Sequence, residues 1–122
     1  MFIVETDSSK RLFVISVAGH ATADEARDAA QRVPQVLEEV AAGFVALIDF
    51  RWLESMATAA APFIAEIMDA LAAKKVRAVV RVVPDPHKDI GLNILSQFHY
   101  GPEVRVMTFE SLADAVASIS GD

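Results

Sequence analysis

With 122 residues, 53% of them hydrophobic and 23% charged, the chain is long enough to bury one core and too apolar to be disordered. It has no cysteine, which excludes disulfide scaffolds, thiolate metal sites and cysteine nucleophiles, and its net charge of -6 is opposite to the footprint of a nucleic-acid binder. No stretch is apolar enough to span a bilayer and no basic segment leads into Phe2, so one cytoplasmic domain over 1–122, without a membrane segment, is expected.

Phe2 to Thr6 and Leu12 to Val17 are rich in β-formers, and the polar Asp7–Arg11 between them suits a hairpin, so the pair is predicted antiparallel. Gly19-His20-Ala21-Thr22 is expected to end the second strand. From Ala23 the apolar spacing changes to three and four, through Ala26, Ala29, Ala30, Val33, Val36, Leu37 and Val40, which predicts one face of a helix. Asp24, Glu25 and Asp28 favour its positive end, Gly43 offers a stop, and Pro34 is expected to kink or divide it. Phe44 to Phe50 is apolar on both sides until Asp49, as a central parallel strand should be. A second helix, starting between Thr58 and Pro62, buries Phe63, Ile64, Ile67, Met68 and Leu71, and Val76 to Val83 is the next strand. Asp85-Pro86 has the form of an N-cap followed by proline and predicts a third helix from Pro86 to Phe98. Val104 to Phe109 is the last strand, and Ser111-Leu112-Ala113-Asp114 opens a terminal helix with a capping pattern.

The order β-β-α-β-α-β-α-β-α predicts an α/β fold with a five-stranded mixed sheet, the last four strands parallel, the first antiparallel, and helices packed on the sheet. Loops leaving the carboxyl ends of parallel strands gather on one rim, where ligands tend to bind. That rim is expected to collect Gly19-His20, Asp49-Phe50-Arg51-Trp52, Pro84–Asp89 with His87, and Glu110-Ser111. Asp49 is either an ionised group at the rim or an acceptor for backbone N–H groups of the next loop. Arg51 either receives an anionic ligand or pairs with Asp49 or Glu54. Trp52 is a pocket wall, an interface anchor, or part of the core under the second helix.

Metal and catalytic patterns are missing. His20, His87 and Asp85 do not have the spacing of a ligand motif, and Asp85 is better explained as an N-cap, so no metal and no cofactor is expected. There is no Gly-x-Ser-x-Gly elbow and no glycine-rich phosphate loop, and the sequence places no histidine beside Ser55 or Thr58. His99, next to Tyr100-Gly101-Pro102 at a helix end, reads as structural.

The element order and the segment Leu47-Ile48-Asp49-Phe50-Arg51-Trp52-Leu53-Glu54-Ser55-Met56-Ala57-Thr58-Ala59-Ala60-Ala61 resemble the STAS family of sulfate-transporter and anti-sigma-factor-antagonist domains. Val79-Val80-Arg81-Val82-Val83-Pro84-Asp85-Pro86, Gly91 and Val104–Phe109 before a helix with Ala115 make the likeness closer to the SpoIIAA-like group of small bacterial proteins. The resemblance implies that fold. In the antagonist branch it also implies a helix-start serine that a partner kinase phosphorylates, and Thr58 falls at the matching position. Ala57, Ala59 and Ala60 depart from the Asp-Ser-Ser-Gly-like turn that surrounds that serine.

The expected function is a non-enzymatic STAS-like regulatory module without a well-preserved phosphorylation switch. Its partner is another protein, or itself in a homodimer, bound through Asp49, Phe50, Arg51, Trp52, Met56, Thr58, Phe63, His20 and His87. The alternative is a carrier or sensor for an apolar or lipid-like small molecule, because Ala57, Ala59, Ala60 and Ala61 leave small side chains beside Phe50, Trp52 and Phe63. A third reading is a hydrolase using Asp49, His20 or His87. An enclosed pocket beside Trp52 would favour the carrier; a flat exposed patch of Phe50, Trp52, Met56 and Phe63 would favour the interaction module.

Overall fold

The computed structural model describes residues 1–83, 100 and 103–120. Five strands, β1 (Phe2–Asp7), β2 (Leu12–Ala21), β3 (Val45–Met56), β4 (Ala78–Val82) and β5 (Arg105–Phe109), lie side by side in chain order. β1 is antiparallel to β2 and every later pair is parallel, as the alternation of elements predicts. The described helices are α1 (Ala23–Leu37), α2 (Ala61–Ala73) and α3 (Leu112–Ser120). The helix expected from Pro86 to Phe98, the Pro84–Asp89 turn with His87, Gly91 and His99 lie outside the described residues.

Local chemistry accounts for the boundaries. The β1–β2 connection is a single 3-10 turn over Ser8–Lys10, in which Asp7 Oδ1 accepts from Ser9 Oγ at 2.7 Å and Arg11 adopts φ 51°. Thr22 caps α1 by accepting from the Glu25 backbone N–H at 3.1 Å. Pro34 does not divide α1, which runs through it to Leu37; the ring is exposed, and the missing N–H removes only one bond of the helix, the one to the Ala30 carbonyl. Val40 lies beyond the helix, in a tightened turn where it donates to the Leu37 carbonyl at 3.3 Å. Gly43 then turns the chain at φ 85° and donates its N–H to the Lys75 carbonyl at 2.8 Å, fixing the start of β3 beside the end of α2. Ser111 opens α3 by accepting from the Asp114 backbone N–H at 3.2 Å, which is the cap its sequence predicts.

Strand alternation divides the core between two faces. Phe13, Ile15 and Val17 of β2, Ala46, Ile48 and Phe50 of β3, and Val79 of β4 meet α1 and α2 on one face. Val45 and Leu47 of β3 and Ala78, Val80 and Val82 of β4 point the other way, towards Leu112, Ala115 and Ile119 of α3. On this second face α3 packs over β4 and β5. Ile3 of β1 remains 40% exposed there, opposite Ser16 of β2.

Two strands are longer than their sequence suggests. β2 continues through Gly19 and His20 to Ala21, and β3 continues through Arg51 and Trp52 to Met56. The β3–β4 and β4–β5 ladders end at Asp49↔Val82 and Val82↔Phe109, so β2 and β3 continue past them as a parallel ribbon. The segments expected as loops are therefore strand. The ribbon is irregular, with register shifts between Ser16 and Ala18 and between Gly19 and His20, and each inserts an extra residue into β3.

Candidate functional site

The ribbon begins at Asp49, which alternation places with Leu47 on the second face, and which is 7% exposed. Its Oδ1 accepts from the Arg51 backbone N–H at 3.0 Å and from Arg51 Nε at 3.1 Å, while Oδ2 accepts from Nη2 at 3.0 Å. The two readings of Asp49 thus merge, because one neighbour supplies both the backbone donor and the cation. Arg51 pairs with Asp49 rather than Glu54, and these bonds raise its pKa above the ordinary guanidinium value. A planar fork on a carboxylate fixes direction as well as distance, so Arg51 is held in one orientation.

The guanidinium lies 5.5 Å from the centre of the Trp52 ring. Trp52 itself is 65% exposed, which removes the expectation that it belongs to the core under α2. Buried Asp49 holds Arg51, and Arg51 holds one side of an exposed indole. Farther along the ribbon, His20 Nδ1 and Ser55 Oγ are 2.6 Å apart, both exposed. Sequence order does not pair these residues, because it puts them in separate segments and only the β3 bulges bring them opposite each other.

The other expected site residues among those described do not join this group. Phe50 is buried on the α1/α2 face, and Met56 and Phe63 pack against the same core, so the flat patch of Phe50, Trp52, Met56 and Phe63 does not form. Thr58 is exposed, but it is not an N-cap: it begins a 3-10 turn over Thr58–Ala60, and neither that turn nor α2 has a side-chain cap bond. Pro62 in the first turn of α2 supplies the start signal instead. Ala60 is fully buried, consistent with close packing of the α2 entrance rather than an open groove.

An apolar cavity lies between the sheet and α2, lined by Ile48, Phe50, Ile67, Met68, Arg81 and Tyr100. Its volume is about 40 Å3, well below the roughly 150 Å3 that admits a benzene-sized guest. It lies on the α1/α2 face of the sheet, with Phe50 rather than Trp52 in its lining. Among the described residues no cluster of three metal-ligating side chains occurs, and no helix is long and apolar enough to cross a membrane.

No protein-family model and no curated protein matches the chain. Solved structures do. The anti-sigma factor antagonist SpoIIAA in its unphosphorylated form is similar over 100% of both chains, with a TM-score of 0.69 at 17% identity. An uncharacterised DUF3478-family protein with a SpoIIAA-like fold, from Shewanella loihica PV-4, has a TM-score of 0.71 at 17% identity, over 98% of this chain and 92% of that one. An anti-sigma factor antagonist from Mycobacterium paratuberculosis has a TM-score of 0.61 at 20% identity, over 98% of this chain and 93% of that one. The chain therefore has the STAS/SpoIIAA-like fold that its sequence resembles.

Proposed function

We propose that this chain is a regulatory module of the bacterial cytoplasm that binds another protein through the second sheet face, at the β2–β3 ribbon. The observation that carries the reading is Trp52, a large apolar side chain left 65% exposed outside the described core. Tryptophan and arginine are the residues most enriched at the energetic centres of interfaces. Here Arg51 is pre-aimed by Asp49, so less side-chain entropy is lost on docking. The Asp49–Arg51 pair is internally neutral, which gives this patch less charge than the -6 of the whole chain suggests. Two similar structures are anti-sigma factor antagonists by name, which supports a partner of the regulatory kind. A second copy of the chain is the alternative partner, which sedimentation detects.

The test compares wild type with Trp52→Ala. Partners captured with wild type are purified and their affinity for both forms is measured by titration, with sedimentation reporting any self-association. Trp52→Ala is expected to lower affinity roughly 30-fold, the effect of losing about 2 kcal/mol at an interface centre, while the melting temperature stays near that of wild type. Equal affinity would refute the site. Thr58→Glu is expected to leave binding unchanged, because Thr58 stands at the entrance to α2 and apart from Trp52 on the ribbon; a loss of binding would restore the switch that the resemblance implies.

A further inference from the structure

We propose that Ser55 is an acyl-acceptor nucleophile, with His20 as its general base, and that its substrates are activated esters or thioesters of small acyl groups. This goes beyond the docking role and does not depend on it. The pair spans two adjacent strands, with Nδ1 and Oγ 2.6 Å apart, within the reach a base needs to take a proton from an attacking hydroxyl. In the tautomer with its proton on Nε2, the imidazole accepts the Ser55 hydroxyl proton at Nδ1.

The pairing is made by the backbone. Gly19 stands opposite Leu53, and without the register shift His20 would next stand opposite Glu54. The shift puts Ser55 there instead. Gly19, at φ 69°, takes the left-handed conformation immediately before the shift, which a side chain would strain. Because both main chains are held in the ladder, nucleophile and base meet without a search by either partner. Both side chains are exposed, so an acyl donor reaches them directly.

The step is an acyl transfer. Ser55 Oγ attacks the carbonyl carbon of the donor and forms a new C–O bond while its proton passes to His20 Nδ1. The tetrahedral intermediate collapses by breaking the bond to the aryl oxygen or thiol sulfur. The leaving group departs with the electron pair of that bond, and the imidazolium returns the proton to it or to water. The product is an O-acylserine at position 55.

The test uses the full chain and p-nitrophenyl acetate. Wild type is expected to release a burst of nitrophenolate equal to one per chain, and peptide mass spectrometry to place an acetyl group on Ser55. Ser55→Ala should lose both the burst and the label. His20→Ala should slow labelling of Ser55 by about 100-fold, the lower range of a general-base contribution, and added imidazole should restore part of it. Continued release that still requires Ser55 extends the site to hydrolysis and supports the nucleophile. Acetyl groups confined to lysines and the amino terminus, or equal Ser55 labelling in wild type and His20→Ala, would overturn the proposal. Either result leaves the Trp52 affinity measurement untouched, so the two readings fail separately.

Discussion

Phe13→Ala is expected to lower unfolding free energy by about 3–5 kcal/mol, and the melting temperature by on the order of 10–20 °C. Phe13 is fully buried and meets Phe44 edge to face, with ring centroids 6.2 Å apart and planes at 65°. Phe44 immediately precedes β3, and Phe13 stands opposite Ala46, so the two rings join the beginning of the central parallel pair beneath α1 and α2. Urea unfolding of the two proteins measures the difference. A loss below about 1 kcal/mol would mean that the site collapses and that the ring pair is not the packing centre described here. The contrast with Trp52 is instructive: truncating that larger ring should cost partner affinity and little stability, because it touches solvent rather than core.

Alkaline pH should act through Tyr100, the chain's only tyrosine. It is 4% exposed beside the small cavity, and burial raises its pKa far above the ordinary phenol value, against a smaller opposing pull from the Arg81 guanidinium. In the unfolded chain the phenol titrates at about 10. The folded state therefore keeps a proton that the unfolded state releases. The resulting stability is complete below that pH and is lost as pH rises through the range up to the folded pKa. The slope is roughly 1.4 kcal/mol per pH unit, and Tyr100→Phe should remove it from the stability profile. Urea titrations of both proteins across that range check the slope, and phenolate absorbance should appear only together with unfolding. Phenolate in the folded protein near pH ~10, or an equal slope in Tyr100→Phe, would contradict the burial.

The sheet was legible because its period is. Phe13, Ile15 and Val17 alternate with Leu12, Val14 and Ser16, and the short continuous apolar run from Val45 to Ile48, just after Gly43, reads as a strand buried on both faces. The spacing of alanine and valine over Ala26 to Leu37 predicted the buried stripe of α1. The site was less legible, for one physical reason. Glycine, histidine, aspartate and arginine at 19, 20, 49 and 51 carry turn-like or polar signals, yet the ladder continues through them because two bulges absorb the mismatch. A bulge changes which face each later residue points to, so simple alternation loses its register beyond Ser16 and Asp49. Without the bulges, Trp52 falls in with Phe50 and Met56, and no histidine stands beside Ser55. Thr58 has a residue type that suits a cap, but Pro62, in the first turn of α2, already supplies the start signal.

The strict chain order of the sheet bears on how the molecule assembles. Each strand joins an edge left by the one before it, and none is inserted between strands already paired. Growth can therefore proceed outward from the β1–β2 hairpin, with one crossover closed at each step and only its loop entropy to overcome. A chain emerging from a ribosome can begin organising β1 to β3 under α1 while later segments are still being made.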